Sequence, residues 1–286
     1  MEINMKKFLR IVLLIVLATA FSFCMYKVIS KLLEYKASDD AYRRIEKEAD
    51  VSDRPEDPET LDNGKMHIDW ESLPDDTAGW LVIGDISYPV MYDKENGYYL
   101  HRLPDGTYNY GGSLFLQEAN SRNFTDRNSI IYGHNMANGS MFGNLKKYAS
   151  NDFTDFTFDL YLPDGTCHTY RYFACIHTNM YSDVYTYGFA DDEAFLSWQE
   201  KMKGLSFVDC AAETDKDAKF VTLSTCNGPA GTSQRLDIIG QEEQIIQVQN
   251  PASWYEKAKE ESIRKSEEEP AKENAAAEEQ ETTEKE

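Results

Sequence analysis

Three side chains in this sequence could together perform nucleophilic catalysis on a carbonyl group. Cys226 ends an apolar run and precedes a turn, a position where a thiol is held firmly yet stays accessible. His134 also follows an apolar run, and Arg235 stands nine residues after Cys226 at the head of another. A thiolate attacks carbonyls, an imidazole transfers protons and a guanidinium can hydrogen-bond an oxyanion. Taken singly, each has a structural alternative: a buried thiol, a surface or core histidine, or an arginine in an ion pair.

The other cysteines are predicted to be structural. The chain has five cysteines, an odd number without paired spacing, which argues against a disulfide framework. Cys24 lies in an apolar N-terminal run, and three lie in or beside predicted strands, where a thiol acts as a small hydrophobe: Cys167, Cys175 and Cys210. His168 and His177 lie close to two of these in sequence, but on one strand Cys167 and Cys175 would be about 26 Å apart, too far to share a zinc ion. We therefore predict no metal and no cofactor.

Composition excludes one class of function and predicts the fold class. With 50 acidic against 29 basic residues and a net charge of -21, the chain is too acidic to bind nucleic acid through its phosphates. Hydrophobic residues make up 41% of the 286 residues, enough for a sizeable core. Short alternating or β-branched runs dominate the middle of the chain and predict a mainly β domain. The predicted strands are Trp80–Ile83, Ile86–Tyr92, Ser113–Gln117, Ser129–Tyr132, Phe156–Leu162, Cys167–His177, Phe220–Ser224 and Leu236–Gly240.

Turn and helix signals interrupt these strands. Pro163-Asp164-Gly165 predicts a hairpin between two of them. The apolar spacing from Met141 to Tyr148 predicts one short helix. The spacing from Asp191 to Lys203 predicts a second helix, with Gly204 as its C-cap.

The N-terminal apolar run is predicted to be a membrane anchor. Basic residues precede it, and residues 8–26 would form a helix roughly 28 Å long, which is enough to cross a bilayer. Positive charge before the run places residues 1–7 in the cytoplasm and the rest of this single-pass protein outside the cell membrane. A cleaved signal peptide is the alternative, since Ala18-Thr19-Ala20 has the small-x-small form of a cleavage site. In both cases the body is exported.

The remaining boundaries follow from changes in composition. Residues 27–65 are predicted to be a linker: an amphipathic helix from Val28 to about Asp50 with a break near Ser38, then an acidic, proline-bearing stretch. Residues 66–256 form the predicted catalytic domain. Residues 257–286 are mostly Glu, Lys and Ala, so we expect an acidic disordered tail.

Several motifs around the candidate residues resemble those of a known family. They are Thr222-Leu223-Ser224-Thr225-Cys226 with Arg235 downstream, and Ile131-Tyr132-Gly133-His134-Asn135-Met136 upstream. In this order they resemble the sortases, the cysteine transpeptidases of Gram-positive cell surfaces. Four further motifs are similar to the class B branch: Gly79-Trp80-Leu81-Val82-Ile83, Tyr88-Pro89-Val90, Asn96-Gly97-Tyr98-Tyr99-Leu100 and Gly139-Ser140-Met141-Phe142. The resemblance extends from about Ile68 to Gly240.

The resemblance implies a fold and a set of site residues. The fold would be a closed eight-stranded β-barrel with N-terminal helices and an extra helix between two late strands. Cys226 would be the nucleophile, His134 the proton donor and acceptor, and Arg235 the stabiliser of the oxyanion. The substrate-binding residues would be Asn96, Leu100, Tyr185, Ser224 and Thr225.

The implied reaction cleaves a sorting signal of the Asn-Pro-x-Thr type after Thr, through a Cys226 thioester. The acyl group would then pass to an amine of peptidoglycan or of its lipid-linked precursor. The implied partners are surface proteins that carry the signal, together with the membrane that holds the N-terminal helix.

Two alternative functions make different demands on the same residues. Cysteine L,D-transpeptidases place an arginine almost directly after the cysteine, where this chain has Asn227 and Gly228. A non-catalytic surface module that binds a ligand would leave Cys226 buried and unreactive.

Overall fold

The chain forms a β-barrel and one long N-terminal helix. The computed structural model describes residues 2–53, 65–92, 95, 97–153, 156–229 and 231–259. The strands of this described part are β1 (Ser52–Asp53), β2 (Met66–His67), β3 (Thr77–Ile83), β4 (Ile86–Tyr92), β5 (Leu114–Leu116), β6 (Asn128–Tyr132), β7 (Thr157–Tyr161), β8 (Thr166–Asn179), β9 (Phe220–Cys226) and β10 (Gln234–Gln247). Its α-helices are α1 (Glu2–Glu48), α2 (Leu145–Tyr148), α3 (Asp192–Leu205) and a short one over 253–259. Its 3-10 helices are Trp70–Ser72, Tyr98–His101, Asn151–Phe153 and Asp183–Tyr185.

Eight strands close into a barrel in the order β10-β8-β7-β3-β4-β5-β6-β9. The pairs β4–β5 and β6–β9 are parallel, and the other neighbours within the barrel are antiparallel. Helix α3 lies between β8 and β9 in the chain. The predicted closed eight-stranded barrel with an extra helix between two late strands is therefore confirmed. The hairpin predicted at Pro163-Asp164-Gly165 joins β7 to β8.

The core lies inside the barrel, with smaller clusters outside it. Leu81, Val90 and Ile131 are fully buried members of the central cluster. A second cluster packs α3 onto the outer face of the barrel through Phe195 and Trp198, which contact Phe220 of β9. The strands that carry the candidate catalytic residues are thus packed from both sides, which holds their ends in place.

Helix α1 runs without interruption from Glu2 to Glu48, so the predicted break near Ser38 is wrong. Serine costs a helix only about 0.5 kcal/mol relative to alanine, and no Gly or Pro interrupts the run. Ser38 is buried, and Tyr35 and Tyr42 on the same face pack against the barrel. Packing of this face therefore outweighs the weak local preference against helix.

Three finer expectations also differ from the structure. Met141 lies outside α2, because its backbone adopts a positive φ of 51° and its side chain is buried in the core. Gly204 lies inside α3, whose C-cap is Ser206. Strand β10 continues to Gln247, well beyond the predicted end, because pairing with β8 stabilises its polar second half. The acidic stretch at 54–64, Asn96 and the tail from residue 260 onward lie outside the described residues.

Candidate active site

The parallel strands β6 and β9 end together and bring the candidate histidine and cysteine to one edge of the barrel. Tyr132 of β6 is in register with Ser224 of β9, and the Gly133 amide donates to the Ser224 carbonyl at 3.1 Å. The Thr225 hydroxyl donates to the Gly133 carbonyl at 2.7 Å. The Asn135 side chain donates to the Cys226 carbonyl at 2.8 Å. These bonds flank His134 on both sides and fix it beside the end of β9.

Gly133 allows the end of β6 to lie close against the core. A Cβ atom at this residue would lie 2.4 Å from the Leu114 side chain and 2.6 Å from that of Phe142. Only glycine fits such a close approach. The packing of Gly133 on the core therefore fixes the position of the next residue, His134.

Antiparallel pairing brings Arg235 beside Cys226. Arg235 of β10 is directly opposite Cys226 of β9, so both side chains project from the same face of the sheet. The Arg235 Nη1 donates to the carbonyls of Thr232 at 2.8 Å and Gln234 at 2.9 Å. These bonds hold the guanidinium, a permanent positive charge, at the base of its own loop, at the strand position opposite Cys226.

Cys226 differs from the cysteines inside the barrel wall. It is half-buried, whereas Cys167, Cys175 and Cys210 are buried. Burial raises the pKa of Cys167 to about 12. A hydrogen bond with Cys210, together with burial, raises the pKa of Cys175. The Cys167 and Cys175 thiols are therefore inert at neutral pH, whereas the hydrogen bond with Cys175 lowers the pKa of the buried Cys210. Cys226 is the accessible thiol at this edge.

His134 lies in a cluster of stacked rings. Its ring is 5.3 Å from that of His101 and 5.9 Å from that of Tyr110, with interplanar angles of 15° and 10°. Its Nε2 donates to the Leu100 carbonyl at 2.8 Å, which leaves Nδ1 as the acceptor nitrogen of the neutral ring. Burial lowers the pKa of His134, opposed by the Leu100 bond and assisted by His101 and Lys31. The ring is therefore neutral at pH 7 and ready to accept a proton.

A buried carboxyl group lies below Arg235 on the same strand face. Asp237 is fully buried, and its Oδ1 accepts a hydrogen bond from the Tyr185 hydroxyl at 3.1 Å. The same hydroxyl lies 3.0 Å from the Ser224 Oγ. Burial raises the pKa of Asp237 to about 7, against the effect of these hydroxyls and Arg235. Burial and the nearby Asp237 also raise the pKa of Tyr132 to about 12.

The residues predicted to bind substrate divide into three groups. Leu100, Tyr185 and Ser224 lie at the candidate site, with Leu100 39% exposed and Tyr185 half-buried over Ser224. Thr225 is buried on the opposite face of β9 and bonds to Gly133, so it supports the site from behind. Asn96 lies outside the described residues.

Over the described part of the chain, no group of three or more His, Cys, Asp or Glu residues is arranged to hold a metal ion.

Sequence reasoning missed four residues at this edge, namely Lys31, His101, Tyr110 and Asp237. Asp237 carried a signal, because it is the acidic residue in an apolar strand and lies two positions after Arg235, on the same face. His101 carried a weak one, because it directly follows Leu100. Lys31 and Tyr110 carried none, and the position of Lys31 depends on how α1 packs against the barrel.

Comparison with known proteins gives relatives of one kind. A protein from Listeria monocytogenes named Sortase B is 32% identical over 237 residues, which cover 78% of this chain and 92% of that protein. Sortase B from Staphylococcus aureus is 23% identical over 257 residues, covering 86% of this chain and 99% of that protein. No protein-family model matches the sequence.

Solved structures agree with these relatives. The structure of sortase B from Listeria monocytogenes has a TM-score of 0.53 and 33% identity, covering 58% of this chain and 94% of that one. That of sortase B from Bacillus anthracis in complex with AAEK1 has a TM-score of 0.61 and 23% identity, covering 74% and 99%. The latter supports the fold alone. On the strength of its similarity to the Listeria protein across most of both sequences, this chain belongs to the sortase B family of cysteine transpeptidases.

Proposed function

We propose that this chain cleaves a C-terminal sorting signal after Thr and transfers the resulting acyl group to a peptidoglycan amine, with Cys226 as the nucleophile. The observation that carries the proposal is the pairing of Cys226 with Arg235 at the strand end to which Gly133 and Asn135, the neighbours of His134, are bonded. A nucleophile, a neutral imidazole and a permanent cation are the three groups that acyl transfer through a thioester needs.

In the first half-reaction, His134 accepts the Cys226 proton and the sulfur attacks the carbonyl carbon of the signal's Thr. Arg235 stabilises the oxyanion of the tetrahedral intermediate. The C–N bond then breaks, His134 returns the proton to the departing amine, and a thioester remains on Cys226. The lowered pKa of His134 favours this role, because a neutral ring can accept the proton.

In the second half-reaction, an acceptor amine attacks the thioester. His134 removes a proton from this amine, the C–S bond breaks, and the sulfur regains a proton as a new amide forms. The acceptor is an amine of peptidoglycan or of its lipid-linked precursor, as the family membership suggests.

The substrate groove is proposed to run over Leu100, Tyr185 and Ser224. The Tyr185 and Ser224 hydroxyls form a pair of polar groups beside the buried Asp237, which suits recognition of a polar side chain. We assign the signal to the Asn-Pro-x-Thr type, and Asn96 to the same groove. Thr225 is proposed to position the Cys226 strand end rather than to touch substrate.

Helix α1 is proposed to anchor the enzyme in the cell membrane by a single span, with the barrel outside. In the described part of the chain it is the one helix long and apolar enough to cross a membrane. Residues 8–30 of this helix are exposed, whereas residues further along pack on the barrel. An apolar surface of this length is stable only when covered, and a bilayer covers it.

The test incubates the full chain in detergent micelles with Asn-Pro-x-Thr and Leu-Pro-x-Thr peptides and an amine nucleophile, and identifies products by mass spectrometry. Wild-type protein is expected to release the fragment after Thr and to form the amide, with a preference for the Asn-Pro-x-Thr peptide. Cys226→Ala is expected to reduce turnover below detection, while the buried-thiol control Cys167→Ala retains it. Turnover by Cys226→Ala would refute the assigned nucleophile.

A further inference from the structure

Helix α1 reaches the candidate active site before it packs on the rest of the barrel. The Lys31 Nζ lies 3.3 Å from the centroid of the Tyr110 ring and 3.1 Å from the Glu34 carboxylate. Glu34 in turn accepts a hydrogen bond from the Tyr110 backbone amide at 3.1 Å. One turn of α1 therefore contacts both the ring and the backbone of Tyr110.

A further bond, about two turns later, fixes α1 to the segment that carries Tyr110. The Tyr42 hydroxyl, buried on the same helix face, donates to the Gly112 carbonyl at 2.7 Å. Gly112 has a φ of 56°, and a Cβ atom there would lie 2.2 Å from the Leu100 carbonyl oxygen. The segment is thus wedged between α1 and Leu100, whose carbonyl accepts the proton of His134 Nε2.

The contact continues from Tyr110 to His134 through stacked rings. Tyr110 stacks on His101 at 5.6 Å and on His134 at 5.9 Å, and the His101 Nδ1 donates to the Tyr110 carbonyl at 3.2 Å. Parallel rings at these distances attract one another, and a cation above one ring adds a cation–π attraction. Lys31 is therefore the terminal cation of a continuous stack that ends on His134.

Lys31 also acts on the charge of His134. The titratable groups that face this ring are His101 from the segment at 98–101 and Lys31 from α1, with Glu34 beside Lys31. Cys226 and Arg235 lie on the strand ends across from it. Burial lowers the pKa of His134, and both His101 and Lys31 lower it further.

We propose that Lys31 of the membrane-anchor helix is a positioning residue of the active site: through Tyr110 it holds the His134 ring in place and sets a positive charge at the far end of the stack that includes this ring. Lys31 lies five residues after Tyr26, the end of the apolar run, or about 7.5 Å along the helix axis. The residue of α1 that contacts the active site therefore lies about one headgroup layer away from the end of the apolar run. The inference about rate rests on the proposed function, whereas that about the His134 ring does not.

The test uses the full chain in detergent micelles with isotopically labelled histidine. The protein has five histidines, so His134 is assigned by the signal that His134→Gln removes, and its titration is followed by NMR. Lys31→Met is expected to raise the pKa of His134 and to lower kcat/KM about fivefold, with KM changing less than twofold. Lys31→Arg retains the cation and is expected to restore both quantities. The matched control is Lys27→Met, which removes the same charge from an exposed position one turn earlier.

The two readouts separate this proposal from the proposed function. If Lys31→Met and Lys27→Met give the same His134 titration, or if Lys31→Met leaves kcat/KM at the wild-type value, the proposal is refuted. If wild-type protein cleaves neither peptide, the proposed function fails, and the titration alone still decides whether Lys31 acts on His134.

Discussion

The ionisable groups on the two sides of Cys226 lie in different surroundings. On the β6 side, His134 stacks with His101 and Tyr110 beneath Lys31, and we name these four residues the histidine flank. On the β10 side, Asp237 is buried with Tyr185 and Ser224, and we name these three the carboxyl flank. The histidine flank is half-exposed and ends in a cation, whereas Asp237 and Ser224 of the carboxyl flank are buried in the barrel wall beneath the half-buried Tyr185.

Burial shifts the pKa values of His134 and Asp237 in opposite directions. Removal from water disfavours the charged form of any group, so burial lowers the pKa of His134 and raises that of Asp237 to about 7. Below pH 7 the Asp237 carboxyl is therefore mostly neutral, and the His134 ring is neutral above its lowered pKa. Arg235 then remains as the permanent charge opposite Cys226, which concentrates positive potential where the proposed mechanism forms an oxyanion.

Removal of that permanent charge is expected to have the largest effect. Arg235→Ala should lower kcat about 1,000-fold, because neither flank can replace a cation at the oxyanion, while KM changes far less. The measurement is steady-state cleavage of the sorting peptide. Arg235→Lys keeps the charge without the guanidinium geometry and should recover part of the rate. A rise in KM with unchanged kcat would show that Arg235 binds substrate instead.

Neutralisation of the carboxyl flank is expected to change how stability depends on pH. The folded-state pKa of Asp237 is raised from 3.8 to about 7, so between these values the folded chain binds one proton more than the unfolded chain. Stability should therefore fall as pH rises through this window and level off above it. Asp237→Asn lacks this dependence. The free energy of unfolding of the variant should therefore increase, relative to that of wild type, by roughly 3 kcal/mol from pH 4 to pH 8.

The measurement for Asp237→Asn is thermal unfolding of both proteins in the same micelles at pH 4 and pH 8. Other titrating groups act equally on both proteins and cancel in the difference. Parallel melting curves for the two proteins across this range would contradict the assigned pKa shift.

Loss of one hydroxyl from the carboxyl flank is expected to have the smallest effect. Tyr185→Phe removes the donor to Asp237 and the partner of Ser224, which should cost about 1–2 kcal/mol of stability. Because Tyr185 also lines the proposed groove, KM for the peptide should rise about threefold to tenfold with little change in kcat. Tyr187→Phe, on an exposed ring in the same loop, is the matched control. Equal KM values for the two variants would exclude Tyr185 from the groove.

The sequence predicts the barrel well because its strands follow simple patterns. Buried β-branched runs such as Ile131 and Val221 mark strands that are packed on both faces, and Pro163-Asp164-Gly165 marks the turn of a hairpin. The prediction fails where tertiary contacts outweigh local preference. Ser38 stays helical because its face is buried, and the polar end of β10 stays extended because β8 pairs with it.

The candidate site was only partly predictable. Cys226, His134 and Arg235 were identified from strand ends and motifs, and the structure brings these residues to one edge. Lys31 is separated from Tyr110 by 78 residues of intervening chain and contacts it only because α1 packs across the 109–113 segment. No local pattern encodes such a contact, since it depends on the packing of a helix against a barrel.

The most direct test of the account is the intact mass of the full chain after brief mixing with an Asn-Pro-x-Thr peptide and no added amine. We predict a mass increase equal to the acyl fragment ending in Thr, located on Cys226 by peptide mapping and lost when an amine is added. No acylation, or acylation that maps to another residue, would contradict the claim that Cys226 carries the acyl group.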